Sequence, residues 1–208
     1  MILLLGSAGR QGRRYRTILH KLGYGDKLVT ADIEFEKTLD VRYIDCVIIC
    51  TPTQTHYRYI KFFNEHNIDI LCEKPLCTSS AEALQLQKDL QVDLRVVCNW
   101  SYVFNKRLEP EKNKIFYRNG TSGSDGLAWD CIQLIYLAQD FHCDLGVGVP
   151  WDIKINGKTV TPKMIEHSYI KMLADWLPRP ELLWDISDAI HQICKVEAYL
   201  KLKAGDYR

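Results

Sequence analysis

The sequence lacks any long hydrophobic run and any strong excess of charge. Its 208 residues carry 27 Lys and Arg against 26 Asp and Glu, so the formal net charge is +1. A nearly neutral chain has no bulk field to recruit nucleic acid or an anionic membrane, and no apolar run approaches the length of a membrane-spanning helix. The opening stretch MILLLGSAGR has no basic leader, and its apolar run breaks at Gly6, so we expect no signal peptide.

Metal-ligand spacing is also missing, although cysteine is abundant. The eight cysteines include no C-x-x-C pair and no Cys/His arrangement of the kind that binds zinc, so we predict no metal site. Most of them lie inside apolar runs, such as Cys46 and Cys50 in IDCVIIC and Cys98 in RVVCNW. Such runs are typical of buried, reduced thiols, and we therefore expect a cytoplasmic protein.

The first hundred residues alternate short apolar runs with amphipathic stretches. Apolar runs predict strands at 2–5, 27–32, 45–51, 69–73 and 93–100, and helical periodicity predicts helices at 10–25, 55–67 and 79–91. Little room is left between Asp32 and Asp45 for a crossover helix. The alternation predicts an α/β fold, with a Rossmann-type doubly wound parallel sheet over residues 1–100.

The second half of the chain has a different pattern. We predict strands at 113–120 and 151–160, the second holding the hairpin signal Asn156-Gly157, and helices at 125–141, 161–177 and 181–203. Mixed elements of this kind indicate a small α+β domain over residues 101–208, with the last helix able to pack back on the first domain.

A glycine-rich turn joins the first predicted strand to the first helix. Glycines there let the backbone approach a pyrophosphate at the helix start, and the usual fingerprint is G-x-G-x-x-G, whose first glycine is replaced here by Ser7. Asp32 ends the second strand, where a carboxylate binds ribose hydroxyls and favours NAD(H) over NADP(H). A 2′-phosphate could be bound by the nearby Arg10, Arg13 and Arg14, so NADP(H) remains an alternative cofactor. A glycine-rich turn that binds no ligand is the other interpretation. The predicted cofactor residues of this region are Gly6, Ser7, Gly9, Arg10, Gln11, Gly12 and Asp32.

The triplet Glu73-Lys74-Pro75 follows the apolar strand DILC. Lysine and glutamate are rarely buried without a partner or a function, and a Lys-Pro bond can be cis. Open α/β sheets bind ligands at the carboxyl ends of their strands, so Lys74 would lie beside the nicotinamide end of a bound cofactor. There its ammonium can polarise a substrate hydroxyl or carbonyl. A solvated strand end followed by a proline is the alternative.

The stretch DCVIICTPTQTHYRYIKFFNEHNIDILCEKPLC resembles the core of the Gfo/Idh/MocA family of NAD(P)-dependent oxidoreductases. The chain is similar to a short form of that family with a reduced C-terminal domain. The resemblance implies that Thr51, Pro52 and His56 border the cofactor, and that Glu73 and Lys74 reach both nicotinamide and substrate. It also implies that Asn99 and Tyr102 line the cleft, with Asp130 and Gln133 near the substrate.

One departure from the family is catalytic. The family commonly carries Asp-x-x-x-His on a helix of the second domain, with the His as proton donor or acceptor. Here Asp130 is followed four residues later by Leu134, with Gln133 and Tyr136 as the nearest polar groups. His142 and His167 are candidate substitutes, although a lone histidine is usually an ordinary surface or core residue.

These observations favour an oxidoreductase with Lys74 and Glu73 as catalytic residues. It would transfer a hydride between NAD(H), or NADP(H), and a hydroxyl or carbonyl carbon of a sugar, cyclitol or related small molecule. The substrate class follows from the resemblance alone, and a homodimer stays open as the assembly. One alternative is a nucleotide-binding protein with little turnover that acts as a regulatory or partner subunit. A methyltransferase is a weaker alternative, because the EKP triplet has no role in it.

Overall fold

The computed structural model describes residues 1–33, 39–105, 108–109, 111–119, 132–145, 152–177 and 183–205. The chain divides into two compact units. The first comprises residues 1–97 and 173–190, and the second comprises residues 98–172 and 191–208. Among the described residues, no helix has the length and apolar character needed to cross a membrane.

The first unit is built on a five-stranded parallel sheet with the order β2-β1-β3-β4-β5. Its strands are β1 (Ile2–Leu5), β2 (Leu28–Ala31), β3 (Cys46–Ile49), β4 (Asp69–Cys72) and β5 (Leu94–Val96). The helices that connect them are α1 (Arg10–Lys21), α2 (Thr53–Glu65) and α3 (Ser80–Asp89). The predicted α/β fold with a Rossmann-type parallel sheet is therefore confirmed.

The central strands are buried on both faces. Leu3, Leu4 and Leu5 of β1 have no exposed surface, and neither do Val47, Ile48 and Ile49 of β3. This burial explains why these strands read as continuous apolar runs without alternation. Helix α1 adds Tyr15, Ile18 and Leu19 to the same core, and α2 adds Tyr59, Ile60 and Phe63. Each of these two helices thus buries one apolar face in the core of the first unit.

The connection from β2 to β3 contains no helix longer than one turn among the residues described there. Its described part is a 3-10 turn at Val41–Tyr43, capped by the carboxylate of Asp40, which accepts from the backbone N–H of Arg42. With so short a connection, β3 pairs directly with β1, on the side opposite to β2. The chain therefore adds β2 on one side of β1 and β3 on the other, which places the change in strand order between β1 and β3.

The fifth strand is shorter than the sequence predicts. Residues 93–100 are apolar enough for a longer strand, but β5 ends at Val96 and helix α4 (Asn99–Phe104) begins three residues later. Val96 also pairs with the returning chain, because its N–H donates to the carbonyl of Trp184 at 2.8 Å in an antiparallel bridge. This bridge covers the edge of the parallel sheet, which would otherwise present unpaired backbone groups.

The second unit contains a mixed four-stranded sheet with the order β7-β6-β8-β9. Its strands are β6 (Asn113–Asn119), β7 (Ala138–Leu145), β8 (Asp152–Ile155) and β9 (Lys158–Val160). β6 pairs parallel with β7 and antiparallel with β8. The predicted hairpin is confirmed, because Asn156 and Gly157 both take positive φ angles, of 52° and 78°, between β8 and β9. Two such residues are what a type I′ turn requires.

The helix predicted over residues 125–141 is confirmed over Ile132–Leu137 and wrong over its last four residues, while residues 125–131 lie outside the described residues. Within the described residues, α5 covers only Ile132–Leu137, and the chain then continues as β7. All six residues of α5 are buried, so the segment carries no amphipathic period that could have marked its end. β7 instead forms because it pairs with β6 from Ala138 to Leu145, with one register shift at Gln139.

Two longer helices contribute to both units. They are α6 (Pro162–Trp176) and α7 (Ile186–Gly205), close to the predicted ranges of 161–177 and 181–203. The last residues of α6 and the first residues of α7 belong to the first unit. Trp184 lies in the segment that joins these helices along the chain, and its side chain is completely buried.

We expect the segment around Trp184 to stabilise the parallel sheet. Replacing this buried side chain with alanine removes its packing and leaves a cavity, so Trp184→Ala should reduce the free energy of unfolding by about 3–5 kcal/mol. Urea denaturation measures the change. The matched control is Tyr43→Ala, since Tyr43 is 70% exposed and its loss should cost about 0.5 kcal/mol or less. Equal losses in the two variants would contradict the packing described here.

Candidate functional site

The glycine turn between β1 and α1 leaves no space for side chains. Gly6 has a φ of +88°, and a Cβ added to it would lie 2.7 Å from the backbone of Cys50 and Thr51 at the end of β3. A Cβ on Gly12 would lie 2.2 Å from the carbonyl oxygen of Gly6. The N-cap residue of α1 is Gly9, which has no side chain that could accept from the N–H groups of the first turn. That turn also carries no acidic residue. The turn is therefore closely packed, and it leads into a helix start whose free N–H groups favour anions.

Asp32 follows β2 directly and is hydrogen-bonded to the glycine turn. Its two carboxylate oxygens accept from the backbone N–H of Ala8 at 3.2 Å and from the hydroxyl of Ser7 at 3.4 Å. The turn is also fixed to β2 by its backbone, because the N–H groups of Gly6 and Ser7 both donate to the carbonyl of Ala31. Ser7, which replaces the first glycine of the fingerprint, thus donates a hydrogen bond to the carboxylate of Asp32.

The start of α1 is strongly basic. Arg10 and Arg13 are exposed, and Arg14 is half-buried and donates to the side-chain oxygen of Gln11 at 2.5 Å. The basic side chains and the helix start together present positive charge at the turn. An anionic group such as a pyrophosphate suits this end of the helix.

Thr51 and Pro52 lie at the end of β3, where α2 begins. The Thr51 side chain is buried, and its hydroxyl oxygen accepts from the hydroxyl of Thr55 at 2.7 Å. Gly6 at the end of β1 packs against the backbone of Thr51. Because β1 and β3 lie side by side and their connections leave in opposite directions, this is the crevice where open α/β sheets bind ligands.

His56 lies on α2, and two backbone carbonyls hold its buried ring. Its Nε2 is 2.8 Å from the carbonyl oxygen of Thr51, and its Nδ1 is 2.9 Å from that of Pro75. A neutral imidazole has one N–H and can donate to only one of these acceptors. Burial lowers the pKa of His56, while both carbonyls and the charge of Glu73 act in the opposite direction. The ring is therefore neutral near pH 7 and connects the end of β3 to the segment after β4.

Glu73 and Lys74 follow β4 at the same edge of the sheet. The backbone N–H of Glu73 donates to the carbonyl of Ile49, which extends the pairing of β4 with β3 by one residue. The Glu73 side chain is buried, and its carboxylate accepts from the Tyr15 hydroxyl and from the backbone N–H of Lys74. Lys74 is half-buried, and the Lys74–Pro75 peptide bond is cis.

The thiol of Cys50 lies near both carboxylates of the site. Burial raises the pKa of Cys50, and the charges of Glu73 and Asp32 raise it further. Its Sγ donates to the carbonyl of Leu5 at 3.1 Å. Asp32 and Glu73 follow β2 and β4 at the end of the sheet where β1 and β3 also end, and their charges together with burial keep the Cys50 thiol protonated.

The residues predicted near the substrate lie in or beside the second unit. Asn99 is buried on α4, and its side-chain amide donates to the hydroxyl of Ser168 at 3.4 Å. Tyr102 is buried one turn later, and Gln133 is buried on α5. Asp130 lies outside the described residues. Leu134, which lies four residues after Asp130 in the sequence, is also buried.

The two candidate histidines of the second unit occupy different elements. His142 is exposed on β7 and stacks on the ring of Phe116, with the ring centroids 5.5 Å apart. His167 is exposed on α6, where it lines a groove of about 510 Å³ with Tyr102. No group of three His, Cys, Asp or Glu side chains that could hold a metal ion occurs in the described parts of the chain.

Tyr15 is a site residue that the sequence did not reveal. It lies on the buried face of α1, where an aromatic residue is usually part of the core. A buried tyrosine hydroxyl usually finds a hydrogen-bond partner, and here the partner is Glu73, 58 residues away. Only the folded sheet shows which acid that partner is.

The parallel sheet, the glycine turn and Asp32 define a dinucleotide-binding domain of the Rossmann type. Residues 22–98 match the sequence profile of the Gfo/Idh/MocA family, described as "Oxidoreductase family, NAD-binding Rossmann fold". The resemblance predicted from the EKP segment is thus confirmed over residues 22–98, which are similar to the NAD-binding domain of this oxidoreductase family.

Comparison with individual proteins agrees with this assignment. The chain is 36% identical over 89 residues to the uncharacterized oxidoreductase YrbE of Bacillus subtilis. That match covers 40% of this chain and 24% of the relative, so it spans about a quarter of the relative's length.

Two solved structures are similar in fold at low sequence identity. The myo-inositol dehydrogenase of Lactobacillus casei, in complex with NAD(H) and myo-inositol, has a TM-score of 0.68 at 12% identity, over 95% of this chain and 92% of that chain. The WlbA dehydrogenase of Thermus thermophilus, in complex with NAD and UDP-GlcNAcA, has a TM-score of 0.66 at 13% identity, over 94% and 92% of the two chains.

We expect the buried, neutral state of His56 to make folding stability depend on pH. Its folded pKa is below the ordinary value of 6.5, so between the two values the unfolded chain binds a proton that the native chain does not. Stability should therefore fall as the pH decreases through this window. Urea denaturation at about pH 7.5 and about pH 5.5 should show a smaller loss in His56→Gln than in the wild type.

The matched control is His66→Gln, because His66 is exposed at the end of the same helix. The difference from the wild type in the stability lost between the two pH values should be larger for His56→Gln than for this exposed control. Equal losses in the wild type and in His56→Gln would show that His56 titrates alike in the folded and unfolded chains.

Proposed function

We propose that this protein is an NAD(H)-dependent oxidoreductase that acts on a hydroxyl or carbonyl carbon of a sugar, a cyclitol or a related small molecule. The observation that carries the proposal is the position of Lys74. It is half-buried beside a buried, hydrogen-bonded glutamate, at the same sheet edge as the glycine turn. Two dehydrogenases of similar fold were crystallised with NAD(H) and myo-inositol or with NAD and UDP-GlcNAcA, which supports the substrate class.

The residues present fit a dinucleotide. The turn at Gly6 and Gly12 has backbone where other residues would have Cβ atoms, and α1 begins there without an acidic side chain. Asp32 has a fixed carboxylate that can accept from the ribose hydroxyls and repels a 2′-phosphate. Thr51, Pro52 and His56 would border the cofactor along the β1–β3 crevice. When bound, the nicotinamide supplies the hydride acceptor or donor.

Lys74 has the chemistry for the substrate side of the reaction. Its Nζ can donate a hydrogen bond to the reacting oxygen, which stabilises negative charge there during reduction of a carbonyl. In the oxidation direction the same nitrogen can hold the proton that the hydroxyl loses. Glu73 fixes the backbone N–H of Lys74 and is itself removed from solvent. Asn99, Tyr102, Asp130 and Gln133 remain the proposed substrate residues of the second domain.

A cofactor-binding protein with little turnover is the second candidate. The observation that favours it is Leu134, which is buried where the family has a catalytic histidine. In that case Lys74 would bind a ligand without handling a proton, and the protein would act as a regulatory or partner subunit.

Nucleotide binding is tested by thermal unfolding. NADH at 100 times its Kd should stabilise the native state by about 2.7 kcal/mol and raise Tm by several degrees, with NADPH giving less. Asp32→Ser should bring the two shifts closer together, because it removes the repulsion of a 2′-phosphate. The control is Asp26→Ser, an exposed acid in the turn before β2. No shift with either nucleotide would refute both candidates, and an unchanged preference in Asp32→Ser would refute the role of that acid.

Turnover is tested on a panel of polyols and sugar acids that includes myo-inositol, with NADH formation followed by absorbance. Lys74→Ala should lower kcat/KM by about 100-fold or more while NADH still raises Tm, because it removes an acid/base group and leaves the turn intact. Lys88→Ala, an exposed lysine on α3, should match the wild type. Retained activity in Lys74→Ala would rule out its catalytic role, and NADH binding without turnover on any substrate would favour the second candidate.

A further inference from the structure

One buried hydrogen bond connects the helix of the glycine turn to the EKP segment. The hydroxyl of Tyr15 on α1 donates to Oε1 of Glu73, and both side chains are buried, at 0% and 5% exposure. Tyr15 lies one helical turn beyond Gly12, which packs against the Gly6 carbonyl. The contact therefore joins the start of α1 to the residue that precedes Lys74.

The other oxygen of Glu73 continues the connection. Its Oε2 accepts from the backbone N–H of Lys74 at 3.1 Å, while the backbone N–H of Glu73 donates to Ile49. The backbone of Glu73 is thus held by β3, and its carboxylate is held between Tyr15 and Lys74. A buried carboxylate without a hydrogen-bond donor is costly. Loss of the Tyr15 hydroxyl should therefore change the position of the Glu73 carboxylate and, with it, the hydrogen bond to the backbone N–H of Lys74.

We propose that Tyr15 is a positioning residue, which sets the orientation and accessibility of Lys74 through Glu73 and couples them to nucleotide binding at the start of α1. The proposal rests on the function proposed above. A nucleotide at the glycine turn would order the first turns of α1, and Tyr15 would transmit this order to the backbone of Lys74. Coupling of this kind is reciprocal at equilibrium, so a ligand bound by the Lys74 amine would change nucleotide affinity by the same factor as the nucleotide changes affinity for that ligand.

The reactivity of the Lys74 amine reports the coupling without any substrate. Pulse acetylation with acetic anhydride, followed by trypsin digestion and mass spectrometry, measures the extent of acetylation at Lys74 separately from the other lysines. Trypsin does not cleave a Lys-Pro bond, so residues 62–88 form one peptide in which Lys74 is the only internal lysine. The rate of acetylation is measured as a function of pH, with and without NADH, in the wild type and in Tyr15→Phe. The phenylalanine removes only the hydroxyl.

The matched control is Tyr59→Phe. Tyr59 is as buried as Tyr15 and lies in the same unit, but its hydroxyl accepts from Arg58 instead of donating to Glu73. In the wild type and in Tyr59→Phe, we expect NADH to slow acetylation of Lys74 by about fivefold or more. In Tyr15→Phe this protection should be lost and the pH profile of the NADH-free protein should shift. Glu73→Gln should act like Tyr15→Phe, and the double variant should be no worse than the stronger single variant.

The outcomes separate this inference from the proposed function. A wild-type pH profile and wild-type protection in Tyr15→Phe would overturn the inference, as would equal changes in Tyr15→Phe and Tyr59→Phe. If the wild type binds no NADH, the proposed function fails, and the pH profiles of the nucleotide-free proteins still decide whether Tyr15 positions Lys74. If Tyr15→Phe does not fold, Glu73→Gln carries the same test, and an unchanged Lys74 profile in that variant overturns the inference.

Discussion

The first unit depends on backbone packed directly against backbone at the turn after β1. Gly6 lies against Cys50 and Thr51, and Gly12 lies against Gly6, at distances where no Cβ fits. This contact sets where α1 begins, and it brings the end of β1 against the end of β3. Asp32 and the end of β2 are then fixed to the same turn by hydrogen bonds from Ser7 and Ala8. Three strand ends and one helix start therefore share a small volume, and the ligand-binding properties of the unit follow from that arrangement.

The short connection between β2 and β3 determines what surrounds this turn. Because β3 returns directly to the side of β1, each side of β1 carries one strand, and the crevice opens between β1 and β3. The next strand places Glu73 and Lys74 at the same edge. The order of the strands thus brings an anion-binding helix start, an acid suited to ribose and an amine together, although they lie up to 68 residues apart, from Gly6 to Lys74.

Much of this arrangement could be predicted from the sequence, because its causes are local. Buried parallel strands read as apolar runs, the glycines mark the turn, and Asn156-Gly157 marks a hairpin that the structure contains. Contacts between distant segments could not be predicted. The strand Ala138–Leu145 forms through its pairing with β6, and its own residues do not distinguish it from the end of a helix. Likewise, nothing near Trp184 in the sequence shows that its carbonyl pairs with Val96. Tyr15 has an ordinary core position until β4 brings Glu73 to its hydroxyl.

The polar groups of the two units differ in how they are held, and this difference bears on where the chemistry resides. Around Lys74, the supporting contacts come from three elements of the first unit: α1 through Tyr15, β3 through Ile49, and α2 through His56, which holds Pro75. In the second unit, the side-chain amide of Asn99 donates to the hydroxyl of Ser168 in the same unit, and Leu134 is a buried apolar residue. If the protein catalyses hydride transfer, Lys74 is then the group best supported to handle the proton.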